Sequence, residues 1–87
     1  MKETIMVTRV GILGARGYAA LELIKILLRH PAAEITLLTS RLEEQPHVCE
    51  VHPQLAGRLD LELEQFDLES VVQRGDVVFS CLGSEER

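Results

Sequence analysis

Val10-Gly11-Ile12-Leu13-Gly14-Ala15-Arg16-Gly17-Tyr18 lies between an apolar run and a long amphipathic segment. In that context it reads as a strand, a glycine turn and the start of a helix. Val7, Val10, Ile12 and Leu13 make a short run rich in β-branched residues that ends at Gly14. The turn that follows places backbone N–H groups and a helix N-terminus where a pyrophosphate can sit. The spacing is Gly-x-x-Gly-x-x-Gly, a variant of the Gly-x-Gly-x-x-Gly fingerprint. Each glycine has a steric role in this reading. Gly11 lets the chain turn tightly off the strand, Gly14 lets the backbone approach a phosphate, and Gly17 lets the helix pack close to the sheet. With Ala15, Arg16 and Tyr18 they are candidate ligand-binding residues.

Outward from the turn, the pattern of residues 18–29 is helical. Leu21, Ile24 and Leu28 recur on one face with Leu27 beside them, while Glu22, Lys25 and Arg29 line the other. Pro31 stops the helix at His30, because the residue before proline disfavours the helical region. Residues 34–39, with Ile35, Leu37 and Leu38, form a second strand, which completes a strand–helix–strand unit. Residues 40–58 carry Pro46, Pro53 and Gly57 without a sustained period and read as a long loop. Leu59, Leu61 and Leu63 alternate with polar residues as in a half-exposed strand. Residues 67–73 form a short helix capped by Asp67, with Leu68, Val71 and Val72 facing inward and Gly75 ending it. Residues 76–80, with Val77, Val78 and Phe79, form a last, strongly hydrophobic buried strand, and residues 1–7 are a loose leader.

Right-handed winding of these units puts the third strand outermost, then the second, then the first, with residues 76–80 beyond the first. The expected fold class is α/β, the first half of a Rossmann-type doubly wound parallel sheet, truncated after the fourth strand. Open sheets of this type bind ligands outside the carboxyl ends of the strands, where the winding direction switches. Residues 14–18 and 81–83 border that crevice, which adds Cys81 and Leu82 to the candidate cofactor-binding residues.

Composition limits the function classes. The chain has 87 residues, so one domain is expected, and at 46% hydrophobic and 3% aromatic its core is aliphatic. A net charge of −5 without a basic stripe argues against nucleic acid and anionic membrane surfaces as partners. No apolar run approaches the ~18 residues that span a bilayer, and the first residues lack the apolar core of a signal peptide. Cys49 and Cys81 fit no disulfide framework and read as reduced thiols, so the expected localisation is cytoplasmic.

The end of the second strand distinguishes two dinucleotides. An NAD site usually carries Asp or Glu there, accepting from the ribose hydroxyls. Here Thr39-Ser40-Arg41 stands in that place. A hydroxyl and a guanidinium make charge-assisted hydrogen bonds to a 2′-phosphate that a carboxylate would repel. NADP is therefore the expected cofactor, with Arg16 in the glycine turn as a second cation.

The residues as a whole resemble a known family. The segment from Gly11 to Tyr18 followed by Glu22-Leu23, then Leu28-x-His30-Pro31, Leu38-Thr39-Ser40-Arg41 and Val51-His52-Pro53-Gln54-Leu55-Ala56-Gly57, looks like the N-terminal portion of N-acetyl-γ-glutamyl-phosphate reductase. The resemblance implies an NADP-dependent enzyme of arginine biosynthesis with a nucleotide-binding domain of semialdehyde-dehydrogenase type, and homo-oligomers for full-length members. It also implies a cysteine nucleophile in a Gly-Cys-Tyr context, which these residues do not contain. On this reading residues 1–87 are a partial NAD(P)-binding domain, its catalytic and substrate domain absent, and the chain alone is inactive. Arg16, Ala20 and Gly83-Ser84-Glu85 depart from the family pattern. Aspartate-semialdehyde dehydrogenase is the alternative that Leu82-Gly83-Ser84 favours, and a non-catalytic nucleotide- or protein-binding module is the alternative outside enzymes.

The remaining reactive residues carry less. Cys81, at the end of a strand, reads as a small core residue. His47, Cys49 and His52 lack a fourth ligand and match no common zinc spacing, which leaves a plain loop or a substrate-side role for His52. Glu43-Glu44 and Glu62 with Glu64 read as solvated faces.

Overall fold

The computed structural model describes residues 7–41 and 45–82. Strands β1 (Thr8–Leu13), β2 (Ala33–Ser40), β3 (Leu63–Gln65) and β4 (Val77–Ser80) pair in parallel, in the order β3-β2-β1-β4. The order agrees with the winding expected from the sequence. Helix α1 (Tyr18–Leu28) connects β1 to β2, and α3 (Leu68–Arg74) connects β3 to β4. Between β2 and β3 lie a one-turn helix, α2 (Val48–Val51), and a 3-10 turn, Pro53–Leu55.

Strand alternation divides the core between the two faces of the sheet. Val10 and Ile12 of β1 lie opposite Ile35 and Leu38 of β2, and these four pack with Ala20, Leu21 and Ile24 of α1. Val48, Leu55 and Leu63 extend the same cluster. On the other face Gly11 lies opposite Leu37, and α3 covers them with the buried Val71. A register shift between Val10 and Gly11 leaves Thr36 as the extra residue of β2. Its hydroxyl donates to the Arg74 carbonyl, while the Arg74 guanidinium donates to the Thr36 carbonyl at 2.9 Å. The bulge thus fastens the end of α3 to the sheet.

Four expectations are corrected by the packing. Gly11 does not turn the chain off the strand; it lies inside β1, where a Cβ would make ordinary contacts with Leu37 at 3.7 Å and Val78 at 3.8 Å. Residues 45–58 are not a plain loop, because Val48, His52 and Leu55 are buried in the core. The third strand is shorter and later than the alternation of Leu59, Leu61 and Leu63 suggested. Residues 46–48 pair back on 61–63 instead, through Val48 N–H to Leu61 C=O and Leu63 N–H to Pro46 C=O, both 2.8 Å. Of the apolar residues of α3 only Val71 is buried against the sheet, while Leu68 and Val72 are exposed, since a helix this short meets the sheet along one narrow line.

The last strand is corrected in its burial alone, since a sheet truncated after the fourth strand leaves it at an edge. β4 is an edge, bonded to β1 alone among the described residues, and all of its residues are exposed. α1 begins and ends as expected, with Gly17 as N-cap and Arg29 as C-cap before Pro31. Asp67 caps α3, accepting from Ser70 N–H at 3.3 Å, and Gly75 closes it.

Candidate functional site

The carboxyl ends of the strands converge on the glycine turn. Gly14 has φ of +78°, a left-handed conformation that L side chains rarely adopt. A methyl group there would lie 2.9 Å from the Cys81 carbonyl and from the Leu82 Cα, so glycine is required for the turn to sit against the end of β4. The Leu13 carbonyl accepts from Cys81 N–H at 2.7 Å on that side. On the other side the Thr39 carbonyl accepts from both Gly14 N–H (3.0 Å) and Ala15 N–H (2.8 Å). These two amides are thus held by β2 and face away from an incoming anion. The first turn of α1 opens directly after them, and its N-cap Gly17 makes no side-chain cap hydrogen bond.

Beside the turn is a cleft of about 300 Å³ lined by Leu13, Thr39, Ser40, Arg41, Phe66 and Leu82. Each strand or the residue after it contributes to this cleft or its border. Thr39 and Ser40 are buried, Arg41 is exposed at the rim, and Leu13, Phe66 and Leu82 supply apolar walls. Arg16 is half-buried within the turn and Tyr18 projects into solvent at the first position of α1. The structure therefore brings together Gly14 through Tyr18, Thr39 through Arg41, Cys81 and Leu82. It leaves Gly11 in the middle of β1, away from the crevice. Gly83 through Glu85, and Glu43 and Glu44, lie outside the described residues.

Phe66 escaped the sequence reading, and His52, read there as a plain loop residue or one with a substrate-side role, is placed differently. Phe66 follows β3 directly and reaches the cleft; a third strand placed at its true position would have put it at the carboxyl edge. His52 is buried, and its Nε2 lies 2.8 Å from the Ala15 carbonyl. His47 has different partners. Its Nδ1 accepts from Cys49 N–H at 3.2 Å and its Nε2 donates to Asp60 at 2.7 Å. The histidines thus diverge, and no three of His, Cys, Asp or Glu among the described residues could hold a metal. Burial pushes the Cys81 thiol up, which favours its protonated form. Glu64 pairs with Arg74 at 2.9 Å and serves the fold. No helix among the described residues is long and apolar enough to cross a membrane.

A parallel α/β sheet with its cleft at the carboxyl ends of the strands, beside a glycine turn that opens a helix, defines a dinucleotide-binding unit. The comparison with known families agrees: the semialdehyde dehydrogenase NAD-binding domain matches residues 9–87, and the chain belongs to that family. Similar curated proteins are named N-acetyl-γ-glutamyl-phosphate reductase. One from Rhodopirellula baltica is 42% identical over 85% of this chain and 21% of its own length. Others from Desulforudis audaxviator and Acinetobacter baylyi are 43% and 44% identical over 85% and 80% of this chain. The chain thus spans about a fifth of the length of the curated relatives it matches. The residues fit a nicotinamide dinucleotide: a glycine turn that opens a helix, an apolar cleft, and a cation at its rim.

Proposed function

We propose that these residues are the NADP(H)-binding part of an N-acetyl-γ-glutamyl-phosphate reductase, which reduces an acyl phosphate to its semialdehyde in arginine biosynthesis. The bound cofactor supplies the hydride. The residues of this chain bind and orient it, and the nucleophile and substrate pocket belong to the part of the relatives that the chain does not cover. The raised thiol pKa of Cys81 and its place against the core argue against it as that nucleophile. The chain alone therefore turns over no acyl phosphate on this reading.

The observation that carries the choice of NADP is the rim of the cleft. β2 ends in Thr39 and Ser40, Arg41 follows at the surface, and no carboxylate among the described residues lines the cleft. A 2′-phosphate placed there meets a guanidinium instead of a like charge. A hydrogen bond to a charged group contributes about 1.5–3 kcal/mol, so Arg41→Ala should weaken NADPH roughly ten- to a hundredfold. NADH, lacking the phosphate, should be nearly unaffected. Titration calorimetry of both cofactors against the chain and the variant is the test, and an equal loss of the two would overturn the NADP reading.

A further inference from the structure

His52 is the buried titratable side chain that cofactor recognition leaves unused. Its backbone is fixed twice, by its own N–H to the Val48 carbonyl (2.8 Å) and by Leu55 N–H to its carbonyl (2.9 Å). The ring then reaches across the fold to a residue 37 positions earlier, with Nε2 2.8 Å from the Ala15 carbonyl and the residue 6% exposed. A carbonyl only accepts, so Nε2 carries the proton and donates. Ala15 itself is fully buried and packs in one cluster with Val48 and Leu55.

The bond has a directional consequence. The described peptides are all trans, so the N–H of Arg16 points opposite to the Ala15 carbonyl that His52 holds. Two further restraints on the turn are main-chain contacts, from the Thr39 carbonyl and from Cys81 and Leu82. His52 adds a side chain to that framework, and it acts where the turn passes from amides bonded to β2 to amides that open α1.

We propose that His52 is a positioning residue for the dinucleotide pyrophosphate, which it does not touch, and that the segment from Val48 to Leu55 is a strut beneath the phosphate-binding turn. The inference rests on the cofactor reading above and adds a residue to it. A core histidine that merely satisfies its own hydrogen bond would stabilise the fold without affecting one part of the ligand more than another.

The test compares the chain with His52→Leu and His52→Gln, whose side-chain amide can donate from nearly the Nε2 position. NADPH and 2′-AMP are titrated calorimetrically, because 2′-AMP keeps the phosphate read at the cleft rim and lacks the pyrophosphate. Loss of one hydrogen bond that orients the turn should weaken NADPH about tenfold in His52→Leu. His52→Gln should return to within about threefold of the original, and 2′-AMP should bind all three alike. Should His52→Leu fail to fold, His52→Asn replaces it, its shorter amide falling short of the Ala15 carbonyl. Unchanged NADPH binding in the variants, or equal losses of NADPH and 2′-AMP, overturns the positioning role while the cofactor reading stands. If the original chain binds neither ligand, the cofactor reading falls and takes the inference with it.

Discussion

Gly14 and Gly57 share a left-handed backbone, with φ of +78° and +79°, and differ in what surrounds them. A Cβ on Gly57 would meet nothing within 4 Å, whereas one on Gly14 would strike the backbone of Cys81 and Leu82 at 2.9 Å. The left-handed conformation alone costs an L residue about 1–2 kcal/mol, and Gly57→Ala should lose roughly that. Gly14→Ala should lose clearly more, because main chain at the end of β4 cannot rotate aside as a side chain can. Urea unfolding of the two variants is the comparison, and equal losses would mean that the turn is not seated against β4. Gly14 was legible in the sequence because a glycine directly after a β-branched apolar run, with a helical pattern beginning four residues later, marks a tight strand-to-helix turn. Arg41 was legible because its place at the end of β2 is a local matter. His52 and Phe66 were not. The first depends on contact with a residue far away in sequence, and the second on the register of a strand of three residues.

At the scale of elements, β1, α1 and β2 followed from pattern alone, since each is long enough for its period to show and Pro31 marks the break. The 45–60 segment was obscure because its helices are too short for a period, and because its buried residues join a core built from distant parts of the chain. The place of β4 beside β1 was expected, but the pair of exposed charges that reinforces its ladder was hidden. Asp76 accepts from Arg9 N–H at 2.9 Å and from the Arg9 guanidinium at 3.0 Å, while its own N–H donates to the Arg9 carbonyl at 2.7 Å. The guanidinium bond first, and then the backbone N–H, hold the Asp76 carboxyl below its ordinary value of 3.8. A carboxylate with a lowered folded pKa stabilises the native state above the unfolded value, and that contribution disappears as pH falls through the folded value. The stability gap between the chain and Asp76→Asn should therefore be constant above about pH 5 and close on acidification below about pH 4. Urea unfolding across that range measures it. A gap that persists in acid would assign the clamp to the neutral backbone bonds.

For the whole molecule the decisive feature is the uneven coverage of the sheet. One face carries α1, α2 and the 3-10 turn over an aliphatic core, and the other carries α3, whose Val71 covers little more than Gly11 and Leu37. β4 ends the sheet with Val77, Val78 and Phe79 at 42%, 40% and 39% exposure. Alternation puts Val77 and Phe79 on one face and Val78 on the other, so both faces of this edge are apolar. No charged side chain lies within β4 to oppose pairing with another strand, and an edge of that kind adds strands readily. Small size worsens the balance, because a chain of 87 residues buries a smaller share of its surface than a larger domain. The isolated chain should therefore self-associate as its concentration rises, and Phe79→Lys, which places a charge on the edge, should reduce that association. Phe79 is more than a third exposed, so a lysine there can reach water without breaking the pairing of β4 with β1. Static light scattering over a concentration series, with the two proteins side by side, reads the effect. A cooperative monomer at every concentration would show that the four strands are self-sufficient, and association untouched by Phe79→Lys would move the contact from the β4 edge to the exposed Leu68 and Val72 of α3.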